Sequence, residues 1–269
     1  MDKKLIALDL DGTLLNSDGI VSEISKSYFK KIKEQGHIIT IATGRILKDA
    51  LIGTEGAEFA NYIVSDTGAA VFRSEDTETK WKEVYINQLS KETVQNIASY
   101  YDKNKFTTIE IRDRNLAHHY DGTINIMEIL EKLSEITHLT VEFLNNEFAK
   151  EYLDLFKSKF PNLEIEMMQD SFGDKKWLDI LQKGVEKYKG ITEVAKLEGI
   201  SNENIIAFGD GLNDIEMLKK CGVGVAMKNA LPEVKEQADC ITSETNNQNG
   251  VVEFLKEYLV EKQTLCQNA

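Results

Sequence analysis

Two aspartates near the start of the chain, Asp9 and Asp11, have a spacing that suggests chemistry. They lie at the end of an apolar run, 4–10, that is typical of a buried parallel strand, and in an extended strand residues two apart point to one face. Two such carboxylates repel each other unless a cation lies between them, and Mg²⁺ binds carboxylates together with phosphate oxygens. Gly12 and Thr13 allow a turn that presents backbone N–H groups to an anion. The pattern predicts a metal and phosphate site, with a plain Asp-Gly surface turn as the alternative.

A hydroxyl residue, Thr43, ends the second predicted strand, 37–42, and is followed by Gly44 and a predicted helix at 46–51. A hydroxyl beside the N–H groups of a helix start forms a site for an oxyanion or a phosphate. The alternative is that Thr43 only caps the helix. The sequence therefore offers Thr43 and Gly44 as candidate phosphate ligands.

Lys187 stands near the start of another predicted helix. Its ammonium group could neutralise phosphate charge and hold the Asp9 carboxylate in its ionised form. Lys183 and Lys189 are close in sequence and compete for this assignment. An ordinary exposed lysine is the alternative for each of the three.

A second pair of carboxylates, Asp210 and Asp214, lies in a loop that follows the apolar strand predicted at 204–209. Carboxylates four residues apart among glycines favour a metal-binding loop. Asp210 is then expected to bind the metal directly, and Asp214 to support it through water or a hydrogen bond. Asn213 could donate a hydrogen bond to a phosphate oxygen. A solvated turn is the alternative.

The order of the predicted elements indicates where these polar groups meet. Strands at 4–10, 37–42, 62–65 and 204–209 are separated by helices, a pattern that gives right-handed βαβ units and a doubly wound parallel sheet. In such α/β sheets ligands bind at the carboxyl ends of the strands. We therefore expect a Rossmann-like α/β fold in which the motifs converge at one edge of the sheet.

The pattern changes between residues 84 and 183. This part is richer in charged and aromatic residues, and alternating stretches at 107–112 and 163–168 predict antiparallel strands. The strand–helix alternation resumes after it. The prediction is a catalytic core formed by 1–83 and 184–269, with an inserted α+β domain at 84–183.

Composition limits the classes of function. Acidic residues outnumber basic ones 45 to 32, and the net charge of −13 argues against nucleic-acid binding and requires a local cation to attract an anionic substrate. No apolar stretch approaches the ~20 residues that span a bilayer, so no membrane partner is expected. Cys221, Cys240 and Cys266 are far apart and lack metal-ligand spacing, which predicts free thiols and a cytoplasmic location.

The motifs resemble those of a known family. The four ordered motifs of the haloacid dehalogenase (HAD) superfamily have counterparts at 9–13, Thr43, Lys187 and 209–214. The spacing resembles that of its Cof-type phosphatases, which carry a large cap of type IIB between the second and third motifs. The resemblance covers nearly the whole chain and implies that the segment 84–183 is a substrate-selecting cap.

The resemblance also implies a role for each residue. Asp9 is expected to attack phosphorus and form an aspartyl phosphate, and Asp11 to protonate the leaving oxygen and then activate the hydrolytic water. The residues implied in binding the phosphoryl group are Leu10, Thr43, Gly44, Lys187 and Asn213. The groups implied in binding Mg²⁺ are the carboxylates of Asp9 and Asp210 and the backbone carbonyl of Asp11, with Asp214 in support.

Two positions depart from the family pattern. Thr67 stands where these phosphatases usually carry asparagine, a change that affects a loop contact rather than the chemistry. Many relatives have glycine directly after the lysine of this motif, whereas Lys187 is followed by Tyr188. Lys187 is preferred to Lys189 because it lies seven residues before Val194, the usual distance to the apolar stripe of that helix.

The predicted reaction is Mg²⁺-dependent hydrolysis of small phosphorylated metabolites, sugar phosphates or similar phosphomonoesters. A phosphomutase or a sucrose-phosphate-type sugar phosphatase on the same core is the alternative. A phosphometabolite-binding protein without turnover is disfavoured because both carboxylate pairs are present. Residues 118–120 and 170–173 are candidates to line the substrate pocket, with surface or packing roles as the alternative. A monomer is expected, with a dimer as the other choice.

Overall fold

The structure is a computed structural model that describes residues 2–75, 80–113, 116–169 and 175–261. The chain divides into two compact units, Met1–Tyr85 with Glu186–Ala269, and Ile86–Val185. The chain passes into the second unit after Tyr85 and returns to the first after Val185. Each boundary lies two residues after the predicted one, at 83/84 and 183/184. The role of the second unit as a cap that selects the substrate stays a prediction.

The first unit begins with strands and helices in alternation. Its first elements are β1 (Leu5–Leu8), α1 (Glu23–Glu34), β2 (Ile38–Ala42), α2 (Leu47–Gly53), β3 (Tyr62–Ser65), β4 (Ala70–Ser74) and β5 (Trp81–Ile86). β1, β2 and β3 are buried along their whole length, as expected of apolar parallel strands covered on both faces. Helix α1 starts directly after Ser22, whose hydroxyl caps it by accepting a hydrogen bond from the backbone N–H of Ser25.

The second unit is an antiparallel sheet with helices. Its elements are α3 (Lys91–Ala98), β6 (Phe106–Asp113), β7 (Ala117–Tyr120), α4 (Ile126–Leu130), β8 (Ile136–Phe143), α5 (Asn146–Lys159), β9 (Leu163–Gln169) and β10 (Lys176–Gln182). The strand order is β7-β6-β8-β10-β9. A core rich in aromatic residues, among them Phe106 and Phe156, holds the helices against the sheet, and the pocket candidate Tyr120 packs against this core. The other candidates at 170–173 lie outside the described residues.

The remaining part of the first unit completes its sheet. It contributes α6 (Lys187–Glu198), β11 (Ile205–Gly209), α7 (Ile215–Lys220), β12 (Val223–Ala226), α8 (Pro232–Lys235), β13 (Cys240–Ile241) and α9 (Gly250–Glu261). The eight strands follow the order β13-β12-β11-β1-β2-β3-β4-β5. Pairing is parallel from β13 to β3, and β4 is antiparallel to β3. The predicted parallel core therefore ends in an antiparallel edge that the sequence pattern did not indicate.

Two sequence expectations concern the environment of the chain. Among the described residues, no helix has the length and apolar character needed to cross a bilayer. Cys221 is a free, buried thiol as predicted, whereas Cys240 is disulfide-bonded, so the prediction of three free thiols is wrong at Cys240. The third cysteine, Cys266, lies outside the described residues.

Candidate active site

Three of the predicted motifs meet at one edge of the parallel sheet because the central strands are in register. Leu8, the last residue of β1, pairs with Phe208 on one side and Ile41 on the other. The backbone N–H of Asp9 donates to the carbonyl of Phe208, at 3.0 Å, and so fixes the point where the chain leaves the sheet. The residues that follow the three strands therefore emerge side by side.

Lys187 lies between two buried carboxylates. Its Nζ is 2.6 Å from Asp9 Oδ1 and 2.6 Å from Asp214 Oδ1, and the three side chains are almost fully buried. Burial alone would lower the pKa of Lys187, but the carboxylates of Asp214 and Asp9 outweigh this effect and raise that pKa above its ordinary value. Lys187 is therefore a fixed positive charge next to Asp9.

The helix α6 brings Lys187 to this position. The buried residues of α6 include Lys187, Gly190, Ile191 and Val194, which share one face of a helix with 3.6 residues per turn. A Cβ atom at Gly190 would lie 2.3 Å from Val64 Cγ1, so glycine allows α6 to approach β3 closely. Lys189 is on the exposed side and pairs with Glu193 at 2.7 Å. The geometry thus brings Lys187, and not Lys189, to Asp9.

Asp9, Asp210 and Asp214 each offer a carboxylate oxygen, and these oxygens lie within 4.8 Å of one another. We call the three residues the acidic cluster. Burial raises the pKa of Asp9 to about 7, although Lys187 opposes this, and burial raises the pKa of Asp210 to about 6. Three carboxylates face one ammonium group, so the cluster lacks positive charge. An oxygen-only donor set with this deficit fits a hard divalent cation such as Mg²⁺.

The second loop is held by its own hydrogen bonds. Asp214 Oδ2 accepts from the backbone N–H groups of Asp210 and Gly211, at 3.0 Å each. The Thr13 hydroxyl donates to Asp210 Oδ1 at 3.0 Å and ties this loop to the first motif. Asp214 therefore uses one oxygen to shape the loop and the other to hold Lys187. Asn213, the predicted phosphate ligand, is exposed on the same turn.

Asp11 does not share the environment of Asp9. We expected both carboxylates on one face of a strand, but β1 ends at Leu8 and Gly12 has a φ of +78°, so the chain turns at once. The Asp11 carboxylate instead pairs with the guanidinium of Arg45 and is 62% exposed. The expectation of a shared face is therefore wrong. The proposed ligation of Mg²⁺ through the Asp11 backbone carbonyl stays a prediction.

The turn after Asp11 requires glycine for a spatial reason as well as a conformational one. A Cβ atom at Gly12 would lie 2.1 Å from Asp210 Oδ2, inside the acidic cluster. The Gly12 carbonyl accepts a hydrogen bond from Asn229 Nδ2 at 2.7 Å, and Asn229 Oδ1 accepts from the backbone N–H of Asn246 at 3.0 Å. Asn229 thus fixes the first motif from a loop that sequence reasoning missed. Asn229 follows strand β12, which also ends at this edge of the sheet. Its position after a strand end could therefore have indicated a role in the site.

The hydroxyl of Thr43 is buried and accepts a hydrogen bond from the backbone N–H of Arg45 at 3.1 Å. This hydrogen bond stabilises the turn before α2, a role close to the helix cap that was the alternative for Thr43. The hydrogen of the Thr43 hydroxyl remains available for donation. The side chain of Leu10 is fully buried, so a phosphate contact there would use the backbone. The structure places Gly44 beside Thr67, whose Oγ1 would lie 3.6 Å from a Cβ atom at 44.

The sequence profile of the haloacid dehalogenase-like hydrolases matches residues 6–255. The chain belongs to this family. The curated protein 5-amino-6-(5-phospho-D-ribitylamino)uracil phosphatase YitU of Bacillus subtilis is 31% identical to it, over 94% of this chain and 97% of the relative. A second Bacillus subtilis phosphatase of the same name, YcsE, is 27% identical, over 97% of both proteins.

Solved structures of HAD proteins share the fold. A HAD subclass IIB sugar phosphatase is 24% identical with a TM-score of 0.71, over 95% of this chain and 99% of that chain. A HAD phosphatase from Bacteroides thetaiotaomicron is also 24% identical, with a TM-score of 0.77, over 95% of both chains. The predicted family and the predicted α/β fold with an inserted cap are confirmed. The chain is a HAD-type phosphatase, a phosphomonoester hydrolase.

The loop that departs from the HAD pattern is strained. Asp66, Thr67 and Gly68 all have positive φ, at 47°, 58° and 103°. The backbone N–H of Thr67 donates to the carbonyl of Thr43 at 3.0 Å, and a Cβ atom at Gly68 would lie 2.1 Å from the carbonyl oxygen of Glu186. The loop thus lies between the second motif and the start of α6. A β-branched residue is disfavoured in this left-handed conformation, whereas asparagine tolerates it.

Replacing Thr67 by asparagine is expected to raise the free energy of unfolding by about 1 kcal/mol, because asparagine relieves the left-handed strain. The measurement is urea denaturation of both proteins under identical conditions. Thr67→Val is the matched control, since it keeps the β-branched strain and should give no gain. An unchanged or lower free energy of unfolding for Thr67→Asn would show that the strain is not relieved at this position.

Proposed function

We propose that this phosphatase hydrolyses small phosphorylated metabolites with the help of Mg²⁺, through an aspartyl phosphate formed on Asp9. The observation that carries the proposal is the acidic cluster at the strand ends with Lys187 inserted between Asp9 and Asp214. A buried carboxylate beside a fixed cation and two further carboxylates suits phosphoryl transfer, which needs a positioned nucleophile and neutralisation of charge.

The reaction has two steps. In the first, an oxygen of Asp9 forms a bond to phosphorus while the bond from phosphorus to the leaving oxygen breaks, and Asp11 gives its proton to that oxygen. In the second, water attacks phosphorus, the bond to Asp9 breaks, and Asp11 takes a proton from the water. Asp11 thus ends the cycle as it began, and the products are the alcohol and inorganic phosphate.

The other residues bind and neutralise. Lys187 and Thr43, with Gly44, Asn213 and the backbone of Leu10, are proposed to contact the phosphoryl oxygens. Asp9, Asp210 and the Asp11 carbonyl are proposed to hold Mg²⁺, and Asp214 to support that shell. When bound, Mg²⁺ would neutralise charge on the phosphoryl group and favour the ionised form of Asp9.

The substrate is proposed to be a phosphomonoester of a sugar or polyol. The two Bacillus subtilis relatives are named for 5-amino-6-(5-phospho-D-ribitylamino)uracil, whose phosphate is carried by a ribityl chain. This compound is therefore the first substrate to test. Selection of the substrate by the unit Ile86–Val185, a monomeric state and a cytoplasmic location are further proposals that extend the sequence predictions.

The test is a panel of sugar and polyol phosphates, with 5-amino-6-(5-phospho-D-ribitylamino)uracil and p-nitrophenyl phosphate, in which released inorganic phosphate is measured with Mg²⁺ present. Release without any added bisphosphate is expected. A requirement for a bisphosphate together with an isomerised product would instead identify a mutase. Binding of phosphometabolites without release of phosphate would contradict the proposal and identify a binding protein.

Removal of the metal is expected to lower phosphate release about 100-fold or more, because the acidic cluster then lacks the charge that neutralises the transferring group. Phosphate release is measured after EDTA treatment and again after adding Mg²⁺ in excess, which should restore it. NaCl at the same ionic strength is the control and should restore nothing. Full activity in EDTA would contradict a role for a divalent cation.

A further inference from the structure

We propose that Arg45 is the positioning residue for Asp11. The proposal rests on the function proposed above, in which Asp11 passes a proton to the leaving oxygen. Arg45 Nε donates to Asp11 Oδ2 at 2.9 Å, and Arg45 Nη2 donates to Asp11 Oδ1. Two parallel hydrogen bonds fix the plane of a carboxylate as well as its place, which a single contact does not. Arg45 has no assigned role in the predicted motifs.

Arg45 is itself held in place by hydrogen bonds of its backbone and of its guanidinium. The backbone N–H of Arg45 donates to the Thr43 hydroxyl, and the Arg45 carbonyl accepts from the backbone N–H of Asp66 at 2.9 Å. Arg45 Nη1 also donates to the Asp49 carbonyl at 3.4 Å, the long side chain being about one third exposed. Arg45 thus connects Asp11, which otherwise projects toward solvent, to the loop that carries Thr43.

The last residue of α2 leaves room for this arrangement. A Cβ atom at Gly53 would lie 2.7 Å from Arg45 Nη1, so any side chain there would push the guanidinium away from its present place. The atom that must move is the end of a flexible side chain, and alanine is a good helix former. Gly53→Ala therefore displaces Arg45 without removing its charge and without a cost to the helix.

The positive charge matters during the first step. The ion pair between Arg45 and both Asp11 oxygens matches the carboxylate that remains once Asp11 has passed its proton to the leaving oxygen, so the guanidinium favours the completed proton transfer. The benefit is large for an alkoxide leaving group, which must be protonated as it departs. It is small for p-nitrophenolate, which departs readily as an anion. We therefore expect Arg45 to have its main effect on the rate of hydrolysis of phosphate esters with poor leaving groups.

The experiment compares kcat/KM for two probes, p-nitrophenyl phosphate and the best primary-alkyl phosphate of the panel. Arg45→Ala is expected to lower kcat/KM about 100-fold for the alkyl phosphate and only a few-fold for p-nitrophenyl phosphate, since general acid catalysis contributes 10²–10⁴-fold. Arg45→Lys should recover part of the loss, and Gly53→Ala should give the same selective loss, but a smaller one. Arg73→Ala is the control, because Arg73 lies over the ring of Tyr62 and is not bound to Asp11.

Equal losses on both probes in Arg45→Ala would overturn the proposal, because a disturbed fold or a lost phosphate contact lowers both reactions alike. The proposal would be overturned as well if the ratio of kcat/KM for the alkyl phosphate to kcat/KM for p-nitrophenyl phosphate were unchanged in both Gly53→Ala and Arg45→Ala. These results leave the proposed function standing as long as the wild type releases phosphate from both probes. A wild type that releases no phosphate from either probe refutes the proposed function itself.

Discussion

Replacing Asp9 by asparagine is expected to lower phosphate release about 10⁴-fold or more, because the amide oxygen is a poor nucleophile and no aspartyl phosphate can form. The fold should remain, since asparagine keeps the shape of the side chain and the backbone hydrogen bond from position 9 to Phe208 is unchanged. The measurement is the single-turnover and steady-state release of phosphate from p-nitrophenyl phosphate with Mg²⁺. Asp18→Asn, at an exposed aspartate in the same loop region, is the matched control and should retain full activity.

The stability of Asp9→Asn provides a second readout. Without metal, the acidic cluster holds three carboxylates against one ammonium group, and burial raises the pKa of Asp9 to about 7. Removing one carboxylate reduces this repulsion, so the variant should be at least as stable as the wild type in EDTA. Mg²⁺ should stabilise the wild type more than the variant. Wild-type turnover in Asp9→Asn would refute the nucleophile assignment, whatever the stability shows.

The sequence was sufficient to place the backbone of this site. β1 and β11 are continuous apolar runs, and β2 is interrupted only by Thr40, a pattern that is typical of central strands in a sheet covered on both faces. Once their order is known, the residues after each strand must meet. Lys187 could be separated from Lys189 on the same basis, since a residue seven positions before Val194 lies on the same face of a helix.

The side-chain directions could not be predicted in the same way. The Asp11 carboxylate points to Arg45 because the strand ends early and Gly12 turns the chain. Residue spacing along the sequence predicts neither of these two features. Asn229 holds Gly12 from 217 residues away, a contact that depends on the register of β12 with β11. The antiparallel β4 depends on the strained turn at 66–68, where Thr67 conceals the left-handed conformation that asparagine would have suggested.

Replacing Lys187 by methionine is expected to lower the free energy of unfolding by about 3–5 kcal/mol in metal-free buffer, because it leaves the buried carboxylates of Asp9 and Asp214 without their cation. Methionine approximates the length of the lysine stem, so the loss reports the charge rather than a cavity. Phosphate release should also fall, by about 10³-fold, because a fixed positive charge next to the transferring group is lost. Urea denaturation and phosphate release are the two measurements.

Lys189→Met is the matched control on the same helix. Its ammonium pairs with Glu193 on the exposed side, so the same change there should cost less than about 1 kcal/mol and leave phosphate release intact. Mg²⁺ should restore part of the stability of Lys187→Met, because a bound cation supplies the missing charge to the acidic cluster, and it should not affect the difference between Lys189→Met and the wild type. Equal losses of stability in the two variants would contradict the idea that Lys187 holds Asp9 and Asp214 together, since an exposed pair cannot match a buried one in that role.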